Sequence, residues 1–205
     1  MKTTGENSLW KNIFSRGDTP DGSTEALLSH VPAFGALSPR ELKEVAAIVH
    51  KREYQSGEHV FFQNDPGLGM YIIRSGEVSI TISEKEGEQK ELALLREGDF
   101  FGELALLDES PRSATAICKT NCSLIGFFRP DLFELIEKET DLGVKIILKL
   151  AEIVAERLRK TDIELSKVKS QLDQVEHKRD RSERLKKEAG HGKDKTTHQK
   201  KTPAS

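Results

Sequence analysis

FGELALLDESPRSATA, residues 101–116, combines a glycine, a carboxylate, a short apolar run and an arginine. Gly102 lets the backbone approach a ligand closely, and residues 103–107 favour a short helical turn whose free N–H groups face an anion. Arg112 supplies a planar fork of donors that suits a phosphate group. The stretch therefore predicts a cradle for one small anionic ligand.

A carboxylate beside a phosphate is repulsive unless another group of the ligand donates a hydrogen bond to it, as a ribose hydroxyl would at Glu103. With these residues the stretch resembles the phosphate-binding cassette of cyclic nucleotide-binding domains, as in protein kinase A regulatory subunits, cyclic nucleotide-gated channels and bacterial cAMP-responsive activators. The resemblance implies that Glu103 binds the ribose 2′-hydroxyl and that Arg112 binds the cyclic phosphate. It also implies that the phosphate shell is completed by backbone N–H groups near Gly102, Leu104 and Ala105, and by Ser113.

The sequence around this stretch is typical of short strands separated by turns. Residues 58–83 contain three apolar runs broken by Asn-Asp-Pro-Gly and Ser-Gly turns, and further strands are predicted at 91–95, 114–119 and 123–128, with a charged loop at 84–90. This spacing favours a β-sandwich or barrel. The fold class is therefore mainly β with flanking helices, and the resemblance implies an eight-stranded jelly-roll barrel.

Helices are predicted on both sides of the strands. Ser38, Pro39 and Glu41 form a helix start, in which the serine caps, the proline suits the first turn and the glutamate returns a hydrogen bond to the cap. Residues 130–139 predict a second, short helix with three inward apolar side chains. These elements resemble the helices that flank the family's barrel.

A third helix carries a heptad seam that predicts a parallel homodimer through a coiled coil. A second stripe of Ile146, Leu150 and Ile153 indicates that the beginning of this helix also faces its own domain. A single helix packed only on its own domain does not explain the seam beyond about Thr161. The seam comprises Val144, Ile147, Ala151, Val154, Leu158, Thr161, Leu165, Val168, Leu172 and Val175.

Thr161 is a polar residue in this apolar seam, so its hydroxyl needs a partner. The run AERLRKTD, residues 155–162, resembles the central helix of the bacterial activators, which implies that Thr161 contacts the adenine amino group and that Asp162 reaches it from the other subunit. The alternative is a hydroxyl bonded to its own helix carbonyl. With serine rather than threonine at Ser113, these residues favour cAMP over cGMP as the ligand.

Composition excludes several other classes of protein. The 205 residues are 36% hydrophobic, which suits one core of ordinary domain size, and they contain neither a membrane-length apolar run nor a signal-peptide core, so we expect a cytoplasmic protein. Cys118 and Cys122 are expected to be small core residues rather than a metal or disulfide site, and the six histidines are dispersed. No metal or cofactor is predicted apart from the nucleotide ligand.

The predicted organisation is an N-terminal extension (1–24), a cyclic nucleotide-binding domain (25–140), a long dimerisation helix (141–187) and a disordered basic tail (188–205). An apolar face of Leu9, Trp10, Ile13 and Phe14 either packs on the dimer or docks a partner. The tail is either a solvated segment or a site of nonspecific contact with nucleic acid, an acidic partner or anionic lipid.

These observations predict a non-enzymatic cyclic nucleotide sensor that signals through its dimeric helix to a separate effector. No helix-turn-helix domain follows the helix, so specific DNA binding is not expected. An alternative remains open: Glu103 and Arg112 form a loop-closing salt bridge, and the chain is a ligand-independent dimerisation or adaptor module. Catalysis is not expected, because the cassette offers no nucleophile with a general base and an orienting group.

Overall fold

A computed structural model describes residues 23–83 and 88–191, and the chain divides into two compact units, Met1–Arg157 and Leu158–Ser205. In chain order the described elements are α1 (Thr24–His30), α2 (Pro39–Ile48), β1 (His50–Tyr54), β2 (His59–Phe61), β3 (Gly69–Ser75), β4 (Val78–Ser83), β5 (Gln89–Leu95), β6 (Phe100–Phe101), α3 (Leu104–Leu107), β7 (Thr115–Cys118), β8 (Cys122–Phe128), α4 (Arg129–Lys138) and α5 (Thr140–His191).

The strands of the described residues form two four-stranded antiparallel sheets, with the orders β1-β8-β3-β6 and β2-β7-β4-β5. The β-rich fold with eight strands and a long C-terminal helix is confirmed. Strand pairing produces two separate sheets and not a closed barrel.

Successive side chains of a strand point to opposite faces of the sheet, and this alternation decides which of them join a given apolar cluster. On β4, Val78 and Ile80 join a buried apolar cluster, while Ser79 and Thr81 alternate with them along the strand. On β6, Phe100 and Phe101 are both buried but belong to different clusters. This short strand is therefore fixed on both faces immediately before the cassette.

The described residues of the first unit form two apolar clusters. One packs the helices against the first sheet, and the other draws its residues from both sheets. The helix cluster includes Leu28, Phe34, Met70, Ile72, Phe100, Phe127, Leu132, Ile146, Leu150 and Ile153, and the sheet cluster includes Ile73, Val78, Ile80, Leu95, Phe101, Ala116, Cys118, Cys122 and Leu124.

The helices follow the predicted signals closely. Helix α2 has the full capping box, with the Ser38 hydroxyl accepting from the Glu41 N–H and the Glu41 carboxylate accepting from the Ser38 N–H. The predicted inward stripe on α5 is confirmed, because Ile146, Leu150 and Ile153 are at most 5% exposed. No helix in the described part of the chain is long and apolar enough to cross a bilayer.

Several predicted boundaries differ from the structure. Strand β5 begins at Gln89, which pairs with Ser83, so the charged loop predicted at 84–90 ends two residues earlier than expected. Residues 84–87 lie outside the described residues. Helix α5 continues four residues past position 187 into the predicted tail, where Glu188 and Ala189 are good helix formers. The predicted N-terminal apolar face and residues 192–205 lie outside the described residues.

Cys118 and Cys122 are buried free thiols that flank the turn between β7 and β8. Burial, with Cys122 as its neighbour, raises the pKa of the Cys118 thiol to about 12, so it is an unreactive core group at neutral pH. Within residues 23–83 and 88–191, no group of His, Cys, Asp and Glu side chains could hold a metal ion.

Candidate ligand-binding site

The cassette begins where β6 ends, at a glycine that the backbone and the packing both require. Gly102 has φ +76°, and a Cβ built there would lie 2.6 Å from the Arg112 Nη1 atom and 3.2 Å from the Gly69 carbonyl oxygen. Helix α3 follows after Glu103. Glycine therefore lets the guanidinium of Arg112 lie directly against the start of the cassette.

Arg112 is a buried cation, 7% exposed, and its guanidinium stacks on an aromatic ring. Its Cζ atom lies 4.0 Å from the centroid of the Phe61 ring, and its Nη1 donates to the Gly102 carbonyl oxygen at 3.1 Å. Its buried Nε–H has no hydrogen-bond partner among the described residues. The side chain therefore retains an unused donor in an enclosed setting.

Burial lowers the pKa of Arg112 from its ordinary value, while nearby Tyr71, Glu103 and Asp65 oppose that shift. An arginine remains protonated at neutral pH in any protein environment. The site consequently holds a permanent positive charge that water screens only weakly.

The loop between β2 and β3 fixes the backbone of Arg112 on both sides. The Asn64 N–H donates to the Arg112 carbonyl oxygen at 2.9 Å, and the Arg112 N–H donates to the Asp65 carbonyl oxygen at 2.8 Å. Asn64 has φ +71°, a conformation that asparagine tolerates better than most residues. The same loop presses against α3 at Gly67, where a Cβ would lie 2.9 Å from the Ala105 Cβ.

Glu103 is 3% exposed, and its carboxylate forms an ion pair with the guanidinium of Arg157 on α5. Arg157 also lies over the Phe100 ring, with its Cζ 5.3 Å from the centroid. The sequence pattern did not single out Arg157, although it falls in the run 155–162. The ion pair of Glu103 therefore joins it to α5 and not to Arg112.

The other predicted site residues differ in their surroundings. Leu104 is 46% exposed, whereas Ala105 is buried and its N–H donates to the Gly102 carbonyl oxygen at 3.2 Å. Ser113 follows Arg112 and is exposed. Thr161 and Asp162 belong to the second unit, where both are exposed on α5. The first unit thus holds together six of the eight predicted residues.

A buried guanidinium with an unused donor and a buried carboxylate a few residues away suit a ligand with two chemical features. The guanidinium fits an anionic group such as a phosphate ester, and the carboxylate accepts from a hydroxyl. The pair therefore suits the recognition of a ligand that carries both an anionic group and a hydroxyl.

Comparison with known proteins gives consistent matches to this part of the chain. Residues 51–139 match the family model described as the cyclic nucleotide-binding domain. The cyclic AMP receptor protein of Thermus thermophilus is 36% identical over 134 residues, covering 65% of this chain and 60% of that protein. The cAMP-dependent protein kinase regulatory subunit of Aspergillus fumigatus is 34% identical over 118 residues, covering 58% of this chain and 28% of that protein.

The fold agrees with these sequence matches. The crystal structure of the Thermus thermophilus catabolite activator protein superposes with a TM-score of 0.60 at 36% identity, covering 66% of this chain and 62% of that one. This chain spans less than two thirds of the length of each of these proteins. Residues 51–139, which carry the cassette with its buried arginine and carboxylate, belong to the family of cyclic nucleotide-binding domains.

Proposed function

We propose that this chain is a cyclic nucleotide sensor that binds cAMP at the cassette and signals through helix α5 to a separate effector. The observation that carries the proposal is the buried guanidinium of Arg112, stacked on Phe61 with its Nε–H unused. A cyclic phosphate would accept from this donor without exposing the guanidinium to water. Similarity to a cyclic AMP receptor protein and to a cAMP-dependent kinase subunit supports the choice of ligand.

The phosphate shell would combine Arg112 with backbone donors of the cassette. The N–H groups near Gly102, Leu104 and Ala105 and the hydroxyl of Ser113 would complete it. The Ala105 N–H already donates to the Gly102 carbonyl oxygen at 3.2 Å, so it would share or exchange that bond when a phosphate arrives. The phosphate would therefore weaken or replace the bond that closes the turn at the start of α3.

Glu103 would bind the ribose 2′-hydroxyl, and this role gives the ligand a route to α5. The carboxylate is paired with Arg157, so the ribose hydroxyl and Arg157 would share one acceptor. The Arg157 side chain is only 16% exposed, so the ion pair is largely enclosed, and a hydroxyl that competes for Glu103 would have to rearrange it. Ligand binding would thereby alter how α5 is held.

Nucleotide choice would rest on Ser113, Thr161 and Asp162. The Thr161 hydroxyl and the Asp162 carboxylate can both accept from the adenine amino group, whereas guanine presents a carbonyl oxygen there and would face the carboxylate unfavourably. We therefore propose cAMP over cGMP.

The assembly we propose is a parallel homodimer held by a coiled coil of α5. Six seam positions are between 45% and 62% exposed in the single chain, which is the surface that a second copy would cover. These are Val144, Leu158, Leu165, Val168, Leu172 and Val175. We further propose that the protein is cytoplasmic, does not bind specific DNA sequences and catalyses no reaction.

One observation favours a second candidate, the ligand-independent dimerisation or adaptor module. Glu103 already has a charged partner in Arg157, so its burial does not require a ligand. In this alternative the cassette is retained for structure alone, and Arg112 contributes packing on Phe61.

Titration calorimetry of the full chain with cAMP, cGMP and 5′-AMP separates the two candidates. We expect cAMP to bind more tightly than cGMP, and 5′-AMP, which lacks the cyclic ester, to bind weakly. Absence of binding by either cyclic nucleotide would favour the adaptor module. Equal or tighter binding of cGMP would contradict the proposed roles of Thr161 and Asp162.

A double substitution tests the nucleotide preference directly. Thr161→Ala with Asp162→Ala should narrow the cAMP preference by about 1–3 kcal/mol, the range of ordinary hydrogen bonds at a buried site. Ser166→Ala with Ser170→Ala is a matched control on the same helix, since neither serine is assigned to the ligand. An unchanged preference in the first variant would remove both residues from the site.

A further inference from the structure

The second unit carries an apolar stripe on the described part of α5. Spacings of three and four residues along this stripe assign its members to alternating a and d positions of a heptad. Its five aliphatic side chains are 52–62% exposed, so the stripe is a surface that a second helix could cover. The a positions are Leu158, Leu165 and Leu172, and the d positions are Thr161, Val168 and Val175.

The stripe is flanked by the e and g positions of the heptad, which decide how two helices can be aligned. In a parallel pair in register, the g residue of one helix lies beside the e residue of its partner that is five positions further along the sequence. Glu164 occupies a g position, and Lys169 occupies the e position five residues later. Two copies of this chain would therefore form two equivalent ion pairs between Glu164 of one helix and Lys169 of the other.

The neighbouring e positions make this match specific to one register. Asp162 and Glu176 occupy the e positions one heptad before and one heptad after Lys169. A shift of one heptad in either direction would place Glu164 beside one of these carboxylates, and like charges repel. Of these three alignments, only the residue-for-residue one gives Glu164 a cation across the stripe.

Both side chains can take part in such a contact. Lys169 is exposed and Glu164 is partly exposed, and both belong to the second unit. Ion pairs at the edge of an interface contribute little stability each, but they favour one arrangement of the partners over others. The apolar stripe would therefore supply the affinity, and the two ion pairs would choose the alignment.

We propose that Glu164 and Lys169 select the partner of α5, which is a second copy of this chain aligned in parallel and in register. The inference rests on the dimer of the proposed function and goes beyond it by naming the residues that set orientation and register. In an antiparallel pair, e positions lie beside e positions and g positions beside g positions. Glu164 and Lys169 would not meet in that arrangement, so exchanging their charges separates the two orientations.

Charge reversal in the full chain tests this role, with the dimer dissociation constant measured by sedimentation equilibrium at low salt. Glu164→Lys and Lys169→Glu each place two pairs of like charges between identical helices, so each should raise the constant about tenfold. A chain with both substitutions should regain the wild-type constant. An equal mixture of the two single variants should also pair with wild-type affinity, because every lysine then faces a glutamate. Lys167→Glu is the matched control, since it makes the same charge change at a c position and should leave the constant nearly unchanged.

The outcomes of this experiment separate the inference from the proposed function. If the doubly substituted chain pairs no better than either single variant, Glu164 and Lys169 do not meet, and the inference is wrong. Equal weakening by Lys167→Glu and Lys169→Glu would trace the effect to net charge and would overturn it as well. In both cases the dimer of the proposed function remains. A wild-type chain that stays monomeric at every concentration would overturn the dimer and the inference together, whereas calorimetry with cAMP tests ligand binding independently of both.

Discussion

Arg112 is a cation enclosed by protein, and its surroundings only partly compensate for that burial. An unmet donor on a buried group costs about 1–3 kcal/mol, and stacking of a guanidinium on an aromatic ring contributes about 0.5–2 kcal/mol. Phe61 thus offsets part of the penalty for the unused Nε–H, and a phosphate that accepts from it would remove the remainder. Arg112 is therefore tolerated in the folded chain, and a bound phosphate would further reduce the free-energy cost of its burial.

Replacing Arg112 with alanine should abolish phosphate recognition and preserve the fold. Loss of a buried charge partner costs a bound anion about 2–5 kcal/mol, which is more than tenfold in affinity. Arg96→Ala is the matched control, because Arg96 pairs with Glu77 at the surface. Calorimetry with cAMP is the measurement, and wild-type affinity in Arg112→Ala would contradict the phosphate role.

Gly102 offers a second test at the residue scale, with a control that isolates backbone strain. Gly102→Ala forces a side chain into φ +76° and places its Cβ 2.6 Å from Arg112 Nη1. Gly98 has φ +83°, but beyond its chain neighbours no atom lies within 4 Å of the position that a Cβ would take, so Gly98→Ala imposes the strain alone. Both variants should lose more than about 1 kcal/mol of stability, Gly102→Ala the more of the two, and only Gly102→Ala should also lose cAMP affinity. Equal cAMP affinities in the two variants would show that the space beside Arg112 is unimportant.

At the scale of elements, α2 and α5 are joined by a surface ion pair. The Lys145 ammonium donates to the Glu41 carboxylate at 2.5 Å, and the same carboxylate completes the capping box of α2. The Lys145 bond, followed by the bonds to Ser38, lowers the pKa of Glu41 from 4.5 to about 2. Since Lys145 is 56% exposed, solvent screening keeps the contribution of the pair to stability small.

This lowered pKa predicts a small acid-dependent loss of stability. The folded-state pKa lies below the unfolded one, so the contribution is fully present above about pH 4.5 and disappears as the pH falls toward 2. Glu41→Gln keeps a capping side chain but removes the charge, and its unfolding free energy should fall less steeply over that interval. Glu44→Gln, whose partner Arg40 lies on the same helix, is the control. Identical pH profiles for wild type and Glu41→Gln would contradict the prediction.

The elements that the sequence predicts correctly are those with strong local signals. Ser38, Pro39 and Glu41 predict α2 because capping is decided by neighbouring residues. Strand β1, HKREY, escapes prediction because its residues are charged and mostly exposed, and only pairing with β8 makes it a strand. Strand β6 has two residues, too few for any periodicity, and α1 has seven, too few for a clear helical repeat.

The cassette is predictable for the same reason, since its glycine, carboxylate and arginine are close in sequence. The contacts that complete it are not local. Arg157 follows Glu103 by 54 residues, and Phe61 precedes Arg112 by 51, so neither partner can be found from spacing alone. Which side chains surround a site depends on how the sheets and helices pack.

At the scale of the whole molecule, the exposed seam of α5 predicts the oligomeric state. Leu165→Lys with Leu172→Lys should place repelling charges between the two helices and give a folded monomer of 23.0 kDa, or a much weakened dimer. Ile163→Lys with Ser170→Lys adds the same charge outside the seam, and this control should remain dimeric. Light scattering at micromolar concentration is the measurement, and an unchanged mass in the first variant would contradict the coiled coil.

The ion pair between Glu103 and Arg157 links nucleotide binding to the binding of any effector that contacts α5. If the nucleotide alters how the helix is held, thermodynamic linkage requires an effector bound to the helix to change the nucleotide dissociation constant by the same factor. The nucleotide dissociation constant of the isolated chain is then a reference value. Its change when a cell fraction is added would report how much of the protein is bound to an effector. The nucleotide affinity would thus report the fraction of the protein that is bound to an effector, even when the effector is not identified.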